Sequence, residues 1–282
     1  MRRVHILFFI LLILPLTVSG QKQKQLVVLH TNDIHSTIVP INSQLPDTMK
    51  AGRAGALRCI EMLKEEREKC PDLLLFDSGD FFQGSSYYTF FKGEVEIGMM
   101  NRMGYDAVTI GNHEFDFGVE EMARVFRLAT FPIVCANYDF TGTPCEGLVK
   151  PYVIIKRNGL RIGVFGVSPK LEGLVAARNC VGVKYLDPGE TALKTATMLK
   201  KEKKCDMVIC LSHLGWNSNR GEDDQYMVPR SRYIDLVLGG HTHTYFKKLE
   251  YLTDMDGKQV PVDQNGKHAI FVGKMILNLI KR

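Results

Sequence analysis

Eight consecutive residues, Gly111-Asn112-His113-Glu114-Phe115-Asp116-Phe117-Gly118, offer an amide oxygen, an imidazole and, three positions later, a carboxylate. An amide oxygen suits a hard cation, and an imidazole near a carboxylate suits proton transfer. The flanking glycines let the backbone turn tightly. Four more clusters carry related residue types: Asp33-Ile34-His35, Asp77-Ser78-Gly79-Asp80, Ser212-His213, and Gly239-Gly240-His241-Thr242-His243. Asp33 and His35, two apart on an extended chain, are expected to point the same way and share an ion; His241 and His243 have the same spacing. Asp33, His35, Asp80, Asn112, His213, His241 and His243 together supply carboxylates, imidazoles and one carboxamide, without a thiolate. Such a set suits Zn, Mn, Fe or Co divalent ions better than an all-oxygen Ca or Mg cage. These seven donors exceed what one four-coordinate ion needs, and with one carboxylate bridging they serve two. His30, inside an apolar run, is read as structural, and His268 has no neighbour at ligand spacing.

Each cluster directly follows an apolar run of strand length: Leu26–Leu29, Leu73–Phe76, Ala107–Ile110, Met207–Leu211 and Asp235–Leu238. In open α/β sheets, ligands gather outside the carboxyl ends of the strands. A sheet built from these runs would bring all the clusters to one edge. Helical spacing occupies the intervals: Gly55–Lys69, with Leu57, Ile60 and Leu63 as its apolar stripe, Glu94–Met103, and Val119–Leu128. Asp187-Pro188 has the N-cap and first-turn proline of a further helix running to about Lys204. Asn158-Gly159 is a hairpin signal between Val153–Ile155 and Arg161–Val167, and Lys258–Leu279 reads as β-rich. The alternation predicts an α/β protein, with one domain after the N-terminal segment and no internal repeat.

A chain of 282 residues with 45% hydrophobic and 24% charged content matches an ordinary soluble globular protein. Of the formal charge of +5, two units come from Arg2 and Arg3, and no basic run is interleaved with aromatics. Nucleic acid is therefore not expected as a partner. Residues 1–20 read as a secretory signal: a basic start, an apolar Ile6–Leu16 stretch broken by Pro15, and the small-residue site Val18-Ser19-Gly20. The stretch is short for a membrane span. Export to the periplasm or the exterior follows, with no transmembrane segment after cleavage. The cysteine count of seven is odd and contains no Cys-x-x-Cys pair. Cys59, Cys135 and Cys210 read as small buried hydrophobes; an oxidising compartment permits Cys135–Cys145 or Cys205–Cys210, between which the sequence does not choose.

Leu29 to Ser36, Gly79 to Ser85, Gly111 to Gly118, Ser212 to Gly215 and Gly239 to His243 resemble the motifs of the calcineurin-like metallophosphoesterases. Within them the pattern is similar to the 5′-nucleotidase and UDP-sugar hydrolase family, over residues 26–282. The resemblance implies a four-layer α/β/β/α sandwich over residues 21–282, with two divalent ions at one edge. It implies that Asp33, His35, Asp80 and His243 hold the first ion, and Asp80 (bridging), Asn112, His213 and His241 the second. His113 and Asp116 match the family's catalytic dyad. The implied reaction is hydrolysis of 5′-nucleotides by a metal-bridging hydroxide; other phosphomonoesters, UDP-sugars or cyclic nucleotides are the alternatives. The family's C-terminal substrate domain has no counterpart before Arg282, so a separate protein resembling it is an implied partner. A metal-binding subunit dependent on such a partner is the remaining alternative.

Overall fold

The computed structural model describes residues 24–279, and the expected secretory signal lies outside them. Along the chain run β1 (Lys24–Thr31), α1 (Ala56–Lys69), β2 (Leu74–Asp77), α2 (Ser86–Phe91), α3 (Glu94–Met103), β3 (Ala107–Val108), α4 (Gly118–Phe126), β4 (Ile133–Val134), β5 (Tyr138–Asp139), β6 (Val149–Lys150) and β7 (Tyr152–Arg157). They are followed by β8 (Leu160–Val167), β9 (Lys184–Tyr185), α5 (Pro188–Lys201), β10 (Met207–Ser212), α6 (Asp224–Met227), β11 (Leu236–Leu238), β12 (Glu250–Thr253), β13 (Gln259–Asp263) and β14 (Gly273–Leu279). Two six-stranded sheets result, in the orders β14-β1-β2-β3-β4-β6 and β12-β13-β11-β10-β8-β7. The strands that lead into the polar clusters are parallel to their neighbours within each sheet, apart from the β1–β14 pair.

Side-chain alternation along the strands builds the layers. Leu26, Val28, Leu74 and Phe76 meet Ile162, Val164, Ile209 and Leu211 between the sheets. The intervening Val27, Leu29 and Leu75 pack outward against Leu63 of α1, Ile97 and Met100 of α3, and Met122 of α4. On the far side, Phe165, Val208 and Cys210 lie under Ala192, Ala196 and Leu199 of α5. Helix, sheet, sheet and helix thus form a four-layer α/β/β/α sandwich, whose strands are apolar on both faces because both are covered.

Two local readings need amendment. In α1 the buried stripe is Ala56, Cys59 and Leu63, while Leu57 is 69% exposed. The helix is therefore turned so that Ala56, Cys59 and Leu63, and not Leu57, face the core. All seven cysteines are free. The thiols of Cys135 and Cys145 point to different acceptors, Asn137 Oδ1 at 3.4 Å and the Val119 carbonyl at 3.7 Å. The hairpin forms as expected, with Asn158 and Gly159 both at positive φ (51° and 66°), and Asp187 caps α5 through the Glu190 amide at 2.8 Å. No helix among the described residues is long and apolar enough to cross a membrane.

Candidate metal centre

The five clusters meet beyond the carboxyl ends of β1, β2, β3, β10 and β11. Ser78, just past β2, donates its hydroxyl to the Leu238 carbonyl at the end of β11 (2.7 Å), which ties the two sheets together at this edge. The chain leaving β1 keeps pace with the chain leaving β2: Asp33 N–H donates to Gly79 O (2.9 Å) and His35 N–H to Asp80 O (3.0 Å). Asp33 and His35 do not share a direction by strand alternation, however. Their φ angles are 50° and 48°, and Asp80, His241 and His243 lie at 55°, 72° and 54°. Both Asp-x-His and His-x-His are successive left-handed turns that fold the chain over the sheet edge. Such backbone costs roughly 1–3 kcal/mol per residue and persists where surrounding bonds hold it.

The side chains form overlapping groups. Asp33, His35 and His243 offer donor atoms within 4.8 Å of one another, as do Asp80, His213 and His241; His35, Asp80 and His113 make a third group between them. Asp33 Oδ1 stands 3.4 Å from His243 Nε2 and 3.8 Å from His35 Nε2, and Asp80 Oδ2 stands 3.0 Å from His213 Nε2. The Nε2 atoms of His35 and His243 are only 2.9 Å apart. Asn112 Oδ1 is buried with no hydrogen-bond donor of the protein facing it. Converging nitrogens, carboxylates taken out of water and an orphaned amide oxygen are what a cation would satisfy, and this nitrogen and oxygen chemistry fits a transition-metal dication.

Orientation and charge are set by the next ring of contacts. His213 Nδ1 donates to the Ser78 carbonyl (2.6 Å), which leaves Nε2 as the nitrogen turned toward Asp80. Burial opposes a charge on His213, but Asp80 and then Asp33 outweigh it and push its pKa up to about 10. Burial likewise opposes ionisation of Asp80, yet His213, His113 and His35 hold its carboxyl well below the ordinary range. Burial, reinforced by the His213 charge, brings His241 down to about 4. His113 donates its backbone N–H to Asp80 Oδ1 (2.9 Å) and pairs Nδ1 with Asp116 Oδ2 (2.9 Å); both side chains are 31% exposed, at the open rim. Burial pulls His113 down, but the Asp116 hydrogen bond and the Asp80 charge raise it above its ordinary value.

Several contributing residues were not singled out by the sequence reading. Glu114 accepts three backbone amides, those of Gly111 and Asp80 on Oε2 (2.5 and 3.0 Å) and Phe82 on Oε1 (3.1 Å), so one buried carboxylate clamps two ligand loops together. The Gly111-to-Gly118 spacing places Glu114 in a tight turn, but its direction became visible only with the fold. Asn32 donates to Asp33 Oδ2 (2.7 Å) and accepts from the Asn265 amide (2.9 Å). His268, set aside for want of a spaced neighbour, packs its ring 5.8 Å from that of His35 and bonds Thr37 Oγ1 through Nδ1 (2.8 Å). His30 is buried against Asp263 (2.8 Å) and away from the donor groups. Gly111 is needed for space: a β-carbon there would lie 2.6 Å from His213 Nε2 and closer still to Asp80.

A family model described as calcineurin-like phosphoesterase matches residues 26–245. The chain belongs to this family. It is 31% identical to the 5′-nucleotidase of Rattus norvegicus over 285 residues, spanning 93% of this chain and 47% of the rat protein. A trifunctional nucleotide phosphoesterase of Bacillus subtilis is 30% identical over 282 residues, 89% of this chain but 18% of that one. Among solved structures, a 5′-nucleotidase precursor from Thermus thermophilus superposes with a TM-score of 0.80 at 28% identity, covering 90% of this chain and 51% of that one. The chain thus spans about half the length of these 5′-nucleotidases. Its family is that of the calcineurin-like phosphoesterases, and the relatives it matches are named as nucleotide phosphoesterases and 5′-nucleotidases.

Proposed function

We propose that the chain hydrolyses 5′-nucleotides to nucleoside and inorganic phosphate at a centre holding two divalent ions. The observation that carries the reading is the sharing of Asp80 between two donor groups, one with His213 and His241 and one with His35 and His113. Asp33, His35, Asp80 and His243 would hold one ion; Asp80, Asn112, His213 and His241 the other. When bound, two such ions lower the pKa of a water toward about 7 and neutralise charge on the phosphoryl oxygens.

The chain's own residues do the rest. Asp80 is fixed from both ends, by His213 on Oδ2 and the His113 amide on Oδ1. With Nδ1 committed to Asp116, His113 keeps Nε2 for the substrate. A proton on Nε2 suits donation to the departing alkoxide, and Asp116 steadies the cationic ring.

Residues 1–20 support export. Similarity to a trifunctional nucleotide phosphoesterase favours a second reading, the same chemistry on other nucleotide phosphoesters. Phosphate release from AMP, UDP-sugars, cyclic nucleotides and p-nitrophenyl phosphate with added Mn or Zn tests both. Preference for AMP is expected, and release from p-nitrophenyl phosphate alone would remove the nucleotide assignment.

A further inference from the structure

A metal-ligating imidazole is normally oriented by a hydrogen bond from its other ring nitrogen. His213 has such a bond, from Nδ1 to the Ser78 carbonyl, but Nδ1 of His35 is buried with no hydrogen-bond partner among the described residues. The His35 ring is instead packed edge-on among those of His113, His243 and His268, with centroids 5.4, 5.0 and 5.8 Å away. The direction of its Nε2 therefore depends on the backbone that carries it. In that loop Asp33, His35 and Ser36 all lie at positive φ (50°, 48° and 49°), so bonds from outside must hold it. One side is bonded to the chain leaving β2, through the Gly79, Asp80 and Phe81 carbonyls. The other side is held by the segment between β13 and β14.

His268 spans the loop. Its backbone N–H donates to the Asp33 carbonyl (2.7 Å) and its ring Nδ1 meets Thr37 Oγ1 (2.8 Å), so two bonds from one residue bracket His35. Thr37 Oγ1 gives its own proton to the Ile34 carbonyl (2.7 Å), which makes it the acceptor from His268 Nδ1–H. His268 belongs to none of the donor groups among the described residues, so it is not placed as a ligand. The same segment also grips the His-x-His loop: Gln264 donates to the Gly240 carbonyl (2.8 Å) and accepts from the Thr244 amide (2.6 Å), on either side of His241 and His243. We infer that His268 is a positioning residue for the ion of Asp33, His35, Asp80 and His243, a role that rests on the two-ion reading of the centre. It acts through the Asp33-to-Thr37 loop and leaves Asn112, His213 and His241, the other ion's own donors, untouched.

Calorimetric titration of metal-stripped protein with Co(II), followed in parallel by the visible ligand-field bands, tests this role. The wild type should take up two equivalents in two steps, and His243→Ala marks the step that belongs to this ion. His268→Ala should weaken that step by about 10- to 100-fold and leave the other unchanged. Asparagine keeps an N–H donor and tolerates the positive φ (65°) at this position, so His268→Asn should restore most of the lost affinity. Thr37→Val removes the same bond from the loop's side and should weaken the same step, which keeps the test decisive should His268→Ala fail to fold. Equal weakening of both steps, unchanged affinity in His268→Ala and Thr37→Val, or no recovery in His268→Asn would overturn the assignment, and two wild-type steps would leave the two-ion reading standing. Wild-type uptake of fewer than two equivalents would overturn both.

Discussion

Asp80 faces His35, His113, His213 and His241, so it is the side chain whose loss should change most at once. Asp80→Ala is expected to abolish metal loading and turnover together, measured by elemental analysis and phosphate release. His113→Ala should retain the ions and lose about 10²- to 10⁴-fold in rate, the usual worth of a positioned acid. Full activity in metal-loaded His113→Ala would remove that residue from the mechanism. A pH effect belongs here too. In metal-free protein His213 titrates near 10, above the ordinary value of about 6.5, so its contribution is complete below pH ~6.5 and is lost as pH rises toward 10. Glu114, raised to about 7 by burial and by Asp80, acts in the same direction between pH ~4.5 and 7. Metal binding competes with protons for the imidazoles and runs the other way. The difference in Tm between metal-loaded and chelated protein should therefore widen from about pH 6 to about pH 8.5. A constant difference would mean that the imidazoles are not ligands.

At the level of elements, the short strands and the loops beyond them have separate duties. The strands were legible because runs such as Leu73–Phe76 are apolar at every position, which only a strand covered on both faces allows. The loops were legible in composition but not in conformation. Asp33-Ile34-His35 names its donors, yet nothing in three residues says that both ends adopt left-handed backbone; that follows from bonds to Gly79 and Asp80, nearly fifty positions away. Glu114 was obscured for the same reason, since its partners belong to two different loops. Glu114→Gln replaces one acceptor oxygen by a donor facing backbone N–H groups. It should weaken metal binding by about 10- to 100-fold with the fold retained, read by metal titration and circular dichroism. Unchanged affinity would make the clamp irrelevant to the centre. Ile209→Ala, buried between the sheets, should cost about 2–5 kcal/mol in denaturant unfolding while leaving the donor residues untouched.

For the whole molecule, two largely parallel sheets face each other so that their carboxyl ends share one edge, and donors from residue 33 to residue 243 converge there. That convergence could be anticipated because five polar clusters follow five apolar runs. The placement of His268 against His35 could not, because it depends on how β13 and β14 return across the sheet edge. Dications bridging segments so distant in sequence should tie the edge together, so chelation is expected to lower Tm and abolish phosphate release, and added Mn or Zn to restore both. The central claim, that one cation-dependent centre on this chain cleaves phosphoesters, is tested most directly by titrating metal-stripped protein with Mn while following phosphate release from AMP. Activity should rise from none and saturate at two equivalents of bound metal, with Asp80→Ala silent throughout. Undiminished release by the stripped protein, or by Asp80→Ala, would contradict it.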